Sequence, residues 1–370
     1  MSDRISDFAI VGAGMAGASL AAELAPFAKT IVFEAENVPG YHSTGRSAAF
    51  WEECYGGPGI VPLTLASGPF LREHGFLQPR GALYIGQAQD RSALDDFVAT
   101  FEETGATVER LDRAALTHKV PHLREDWCDA VWEPACADID VAALHQHYLK
   151  SMKRSGGTLV CDARIAEISR ESGVFTIRCA SGEQMRAASI INAAGAWADQ
   201  IAQLAGAKPI GINPLKRTVA QLRVSPAAQD DLPLVLDING GFYFKPDNGR
   251  LWLSPHDEIP SEAGDVAPDE IDIAVAIDRL QNVVDCRVER VERRWAGLRS
   301  FSPDRLPVYG HDSELNDFFW FAGQGGFGIQ TAPAAARLAA QCLLGQSPDD
   351  MTTGILGANY SPCRFARQLA

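Results

Sequence analysis

The sequence predicts an α/β protein in which a doubly wound, mostly parallel sheet unit is interleaved with a strand-rich α+β unit. Three observations predict it. A glycine turn near the start joins a strand to a helix. An acid closes the next strand. Two strand-rich stretches, 79–138 and 213–300, interrupt segments where strands and helices alternate.

The first element is the strand ending Phe8-Ala9-Ile10-Val11, followed by Gly12-Ala13-Gly14-Met15-Ala16-Gly17. Gly12 permits a tight turn, and Gly14 lets the backbone approach a pyrophosphate. Gly17, with Ala18, Ser19, Ala21 and Ala22 after it, lets the helix pack close to the sheet. A helix N-terminus here offers unpaired N–H groups and about half a positive charge to phosphate. Ile31-Val32-Phe33 reads as the second strand. Glu34 ends it 22 residues after Gly12, where a carboxylate can accept ribose hydroxyls. Strand, turn, helix and acid in register define a Rossmann-type site for NAD or FAD. An acid at the second strand's end disfavours NADP.

Helices are expected over 64–75, 91–104, 141–152, 196–205, 268–283 and 328–344, and strands over 82–86, 158–161, 164–169, 173–179 and 188–194. Gly325 through Ile329 are expected to open the last helix, with their N–H groups facing a bound ligand. Pieces of the nucleotide unit fall at 1–78, 139–212 and 301–370. The insertions 79–138 and 213–300 are expected to form a second unit covering it, with a substrate pocket between them.

Composition narrows the class. The chain has 370 residues, 46% of them hydrophobic and 22% charged, and a net charge of −14. That charge argues against nucleic acid or an anionic membrane as partner. Eight cysteines show no CxxC pair and no metal-ligand spacing, as expected of reduced thiols in a cytoplasmic protein. There is no run of 18 apolar residues and no signal-peptide pattern, so no transmembrane segment and no metal site are expected.

Four further small-residue turns carry signal: Gly40-Tyr41-His42-Ser43-Thr44-Gly45-Arg46-Ser47-Ala48-Ala49, Asn192-Ala193-Ala194-Gly195-Ala196-Trp197, Arg294-Trp295-Ala296-Gly297-Leu298-Arg299-Ser300, and Gly323 through Gln330. Taken singly, each reads equally as a structural turn. Together with the first glycine turn they resemble the FAD-dependent amine and D-amino-acid oxidoreductases, the glycine-oxidase and sarcosine-oxidase superfamily. The bacterial D-arginine dehydrogenases look most alike, through His42 to Ala49, Ala137-Asp138-Ile139-Asp140, Trp295 to Phe301 and Gly328-Ile329-Gln330-Thr331.

The resemblance implies non-covalent FAD. It places Glu34, Ala35, Ser43, Thr44, Arg46, Ser47, Ala48, Ile165, Ala194, Gly195, Trp197, Gly297, Gly325, Gly326, Gly328, Ile329 and Gln330 against the cofactor, beside the first turn. It also implies that Arg217, Arg299, Tyr55 and Tyr243 clamp a substrate carboxylate, as guanidinium and phenol groups do well. A strand arginine is otherwise a surface group and a strand tyrosine a core one. The implied reaction is hydride transfer from Cα of a D-amino acid to flavin N5. It gives an imino acid, then a 2-oxo acid and ammonia, with electrons passed to a quinone, another carrier or O2. Two departures make the pocket less polar. Ala82 in Pro79-Arg80-Gly81-Ala82 replaces an acid that pairs a guanidinium, and Phe50 replaces a histidine. Neutral side chains are therefore expected over arginine. Glu52 and Glu53 are expected as solvated loop carboxylates, although either one reaching the pocket would restore a cation site. Rival readings are an enzyme for N-substituted amino acids of sarcosine or opine type, an NAD enzyme, and a flavin carrier without turnover.

Overall fold

A computed structural model describes residues 5–366. Its first sheet has eight strands. The strand Ile5–Val11 (β1) runs parallel to Thr30–Phe33 (β2) on one side and to Gln184–Asn192 on the other. Thr158–Val160 extends the parallel order beyond β2, and Phe318–Ala322 extends it beyond Gln184–Asn192. Two hairpin strands, Ile165–Glu171 and Val174–Cys179, continue the sheet antiparallel.

Alternation along β1 accounts for the two covered faces. Ile10 points into a cluster with helix Met15–Leu24 (α1), Leu144, Tyr148 and Met152 of helix Val141–Arg154, and the alanines of helix Ala332–Leu344. Ala9 and Val11 point the other way, towards Ala198, Ile201 and Ala202 of helix Ala198–Ala205. Helices on both faces of a parallel sheet make this a doubly wound α/β fold of the Rossmann type.

The second sheet has ten strands. Nine lie within 82–301, and Gln324–Gly325 adds the tenth at one edge. Its centre is the long antiparallel pair Asn213–Ser225 and Arg287–Phe301, in register from Asn213↔Phe301 to Ser225↔Arg287. A three-stranded sheet joins Phe50–Trp51, Leu77–Pro79 and Ala137–Ile139.

Two expected elements move. The helix expected over 64–75 spans Val61–Glu73. The helix expected from 328 starts at Ala332, because Gly326 to Thr331 form turns ahead of Pro333 in its first turn. Among the described residues, no helix is long and apolar enough to cross a membrane.

Candidate active site

One cavity of about 470 Å³ runs from the first glycine turn to the second sheet. At the turn, Gly12 has φ +101°, and a Cβ there would lie 2.5 Å from the Ala193 carbonyl oxygen. At Gly17 a Cβ would lie 1.9 Å from the Gly12 oxygen, so only glycine lets α1 pack against β1. Glu34 does more than end its strand. Its Oε2 accepts the Ala13 N–H at 2.9 Å and its Oε1 the Glu36 N–H at 3.0 Å. Thr44 Oγ1 accepts the Met15 N–H at 2.9 Å. Ala13 and Gly17 shape this end from behind and are not in the cavity wall, whereas Gly12, Gly14, Met15, Ala16, Glu34 and Ala35 are.

The middle of the cavity is stitched across both sheets. Ser43 Oγ donates to the Leu298 carbonyl at 2.6 Å, Trp295 Nε1 to the Arg46 carbonyl at 3.0 Å, and Arg46 Nη1 to the Ala296 carbonyl at 3.3 Å. Ser43, Thr44, Arg46, Ser47, Ala48, Ile165, Ala194, Gly195, Trp197 and Gly297 all line it. His42 Nε2 lies 3.0 Å from Glu36 Oε1, and its ring is tilted against Trp197 at 4.7 Å. Opposite are Gly325, Gly326, Gly328, Ile329 and Gln330. Among the described residues, no backbone carbonyl takes the N–H groups of Gly326, Gly328, Ile329 or Gln330. These amides come from turns, not from the expected helix start.

The far end is built by strand register. Arg217 pairs with Gly297 and Leu215 with Arg299, so Arg217, Gly297 and Arg299 share one face of the sheet. Arg217 Nε donates to the Asp257 carbonyl at 2.8 Å, and Arg299 Nη2 to Glu258 Oε1 at 2.9 Å. Arg299 Nη1 donates to the Tyr55 hydroxyl at 3.2 Å. The Arg217 guanidinium sits 5.8 Å from the Tyr243 ring centre, and the Phe50 ring meets Tyr243 edge-on at 5.9 Å. Among the described residues, the buried Arg217 Nη2 and Arg299 Nε have no hydrogen-bond partner, although Glu258 Oε1 lies 3.8 Å from Arg217 Nη2. A Cβ on Gly326 would fall 2.1 Å from the Tyr55 hydroxyl, so Tyr55 packs against bare backbone.

Two sequence expectations are corrected here. Ala82 is fully buried behind the wall, clustered with Ala48, Tyr84 and Tyr243, because its strand pairs with Leu234 on one side and Glu133 on the other. Glu52 and Glu53 are 1% and 6% exposed, not solvated. Glu53 turns away from the cavity to accept the Thr107 N–H at 2.8 Å, while Glu52 lines the cavity.

Leu236, Val219, Glu36 and His256 also line the wall and carry no sequence signal. His256 has φ +58°, a conformation nothing in Ser254-Pro255-His256-Asp257 announces. Burial, then Arg217 and Arg299, pushes its imidazole down to about 3, so it is neutral at ordinary pH. Burial, then Arg299, also lowers Arg217 from its usual value.

A fold of this kind, with this cavity, defines a dinucleotide-dependent oxidoreductase. Residues 7–342 match the family model of the FAD-dependent oxidoreductases, and the chain belongs to that family. The FAD-dependent oxidoreductase domain-containing protein 1 of Xenopus laevis is 22% identical over 395 residues, covering 92% of this chain and 79% of its own length. The structure of L-proline dehydrogenase from P. horikoshii superposes with a TM-score of 0.85 at 21% identity, covering 99% of both chains. Glycine oxidase from Geobacillus kaustophilus gives 0.83 at 21% identity, covering 96% of this chain and 98% of its own.

FAD fits what is present. The glycine cradle and Glu34 suit the adenine nucleotide half, and the unpaired amides of Gly326, Gly328, Ile329 and Gln330 suit the polar edge of the flavin ring.

Proposed function

We propose that the protein oxidises an α-amino acid at its CH–NH bond, acting as a D-amino-acid dehydrogenase with neutral side chains preferred. One observation carries the reading: two buried guanidinium nitrogens that make no hydrogen bond among the described residues, Arg217 Nη2 (with Glu258 Oε1 3.8 Å away) and Arg299 Nε, at the same end of one cavity with Tyr55 and Tyr243. Buried donors left without acceptors cost about 1–3 kcal/mol each. A carboxylate is the acceptor whose charge and geometry satisfy both. FAD, when bound, supplies the two-electron acceptor. The chain's own part is positioning: Arg217 and Arg299 hold the acid head, and Tyr55 and Tyr243 close around it.

Phe50 and Leu236 support a neutral side chain, since both put apolar surface into the wall; Glu52, the carboxyl that could pair a cation there, is held by the Tyr84 hydroxyl, and burial disfavours its ionised form. The D configuration rests on the resemblance of the motif segments to D-arginine dehydrogenases. In this reading residues 1–78, 139–212 and 301–370 serve the cofactor, and 79–138 and 213–300 the substrate. Reoxidation is by a quinone or another carrier in preference to O2. A second reading, oxidation of an N-substituted amino acid, is supported by the likeness to L-proline dehydrogenase, since proline is a secondary amine.

Anaerobic bleaching of the purified flavoprotein by a panel of D-, L- and N-alkyl amino acids tests both. Bleaching by D-amino acids with apolar side chains supports the first reading, and bleaching by N-alkyl forms alone supports the second. A flavin that no amino acid reduces overturns both.

A further inference from the structure

Glu52 is, among the described residues, the carboxyl that lines the cavity at its substrate end. Gln330 grips its backbone from both sides, accepting the Glu52 N–H at 3.3 Å and donating to the Glu52 carbonyl at 3.1 Å. The Tyr84 hydroxyl donates to Oε1. Among the described residues no donor reaches Oε2, although the residue is 1% exposed. Behind it Glu133, fully buried, spends its oxygens on the amides of Glu53 at 2.6 Å and Cys54 at 3.4 Å. Among the described residues, neither Glu52 nor Glu133 is paired with a lysine or arginine. Lys245, a cation near this cluster, is tied to Asp138 at 2.6 Å. Ionising two buried carboxyls without a counter-ion is costly, so Glu52, once ionised, takes up a proton readily.

We propose that Glu52 is a catalytic proton acceptor: it takes the proton that the substrate's ammonium group sheds before the Cα–H bond breaks. The proposal rests on the amino-acid reading above. In this step an N–H bond of the ammonium breaks, its electron pair stays on nitrogen, and an O–H bond forms at Glu52 Oε2. The ammonium becomes an amine and the carboxylate a carboxyl, with nothing oxidised or reduced. The nitrogen then holds the lone pair that loss of hydride from Cα requires. His256, at the same end of the cavity, is a poor acceptor because burial, and then the charges of Arg217 and Arg299, disfavour its protonated form.

The groups facing Glu52 set where it titrates. They are Glu53 and Cys54 on its own loop, Tyr84 on strand Ala82–Gln87, Glu133 at the end of Trp127–Glu133, Cys136 just beyond it, and the Lys245–Asp138 pair. Across the cavity stand Arg217, Arg299, Tyr55, Tyr243 and His256. Burial first, and Glu133 second, hold the Glu52 carboxyl well above the usual carboxylate range. A carboxylate raised in this way is a stronger base than an ordinary one and so a better match to an ammonium donor.

The test uses the holoenzyme and the amino acid that bleaches it best. The limiting rate of anaerobic flavin reduction is followed against pH in the wild type, Glu52→Gln, Glu133→Gln and Tyr84→Phe. Binding of propionate, a carboxylate without an amine, is followed in parallel through the flavin spectrum. The wild-type rate rises with pH through one ionisation. Glu52→Gln is slower at pH 7 by about 10²-fold or more, and its remaining rate tracks the amine pKa of each substrate tried. Glu133→Gln moves the wild-type limb to lower pH, because a like charge is gone. Tyr84→Phe moves it to higher pH, because the ionised form loses a donor. Propionate binds within two-fold of wild type in every variant, which a general disturbance of the site would not permit.

If Glu52→Gln takes up no flavin, the limb shifts in the other two variants decide. A Glu52→Gln profile matching wild type, or a limb unmoved in both Glu133→Gln and Tyr84→Phe, overturns the proposal while the amino-acid reading stands. A wild-type flavin that no amino acid reduces overturns that reading, and the proposal with it.

Discussion

Arg299 shows how one side chain is held for a task. Tyr55 takes one of its donors and Glu258 another, which leaves Nε unpaired and buried in the clamp. Replacing it with methionine removes the charge and keeps much of the bulk. Arg299→Met is expected to lose about 10²-fold in kcat/KM, in line with 2–3 kcal/mol for a charged hydrogen bond, while the flavin spectrum persists. Steady-state kinetics on the yellow protein checks this, and full activity removes the clamp from the mechanism. The glycine turn and Glu34 were readable because their spacing is a backbone requirement. His256 and Leu236 were not, since each comes to the wall from a strand end whose placement depends on the whole sheet. Glu52 was misread for the same reason: nothing near it in sequence announces Tyr84 or Glu133 as neighbours.

Strands and helices set the geometry between such residues. The β1–α1 contact depends on Gly17, whose missing side chain lets the helix sit against the Gly12 carbonyl. Gly17→Ala is expected to push α1 off the sheet, weakening FAD uptake at least ten-fold and lowering the melting temperature. Flavin titration and thermal denaturation check it, and wild-type affinity in that variant contradicts the close packing. Element types along the parallel sheet were legible from apolar periodicity. The last helix was placed too early because Gly325 to Ile329 look equally suited to a helix start and to turns. Pro333 in the first turn of Ala332–Leu344 decides between them by fixing where helical backbone begins.

At the scale of the whole molecule, ionisation makes stability depend on pH in two opposed ways. Burial, above all, raises Glu133 to about 7 in the folded protein from its ordinary value of 4.5. The folded state therefore holds the extra proton between those values, and this contribution is present below 4.5 and lost as pH rises towards 7. His256 works in the other direction. Its folded value of about 3 lies below its ordinary value of 6.5, so stability falls as pH drops from 6.5 towards 3. The melting temperature of wild type minus that of Glu133→Gln is expected to be several degrees smaller at pH 8 than at pH 5. Calorimetry at the two pH values checks it, and an equal difference at both refutes the buried carboxyl.

The pairing of Arg217 with Gly297 has a consequence for how such a protein diversifies. In the proposed reading, the grip on the acid head and the bare patch at Gly297 are ruled off along the same two strands, so their spacing is fixed by backbone alone. Phe50 and Leu236 come from other strands. Preference for one side chain over another can therefore drift, or be engineered, by exchanging those two residues, with the distance between anchor and reacting carbon left untouched.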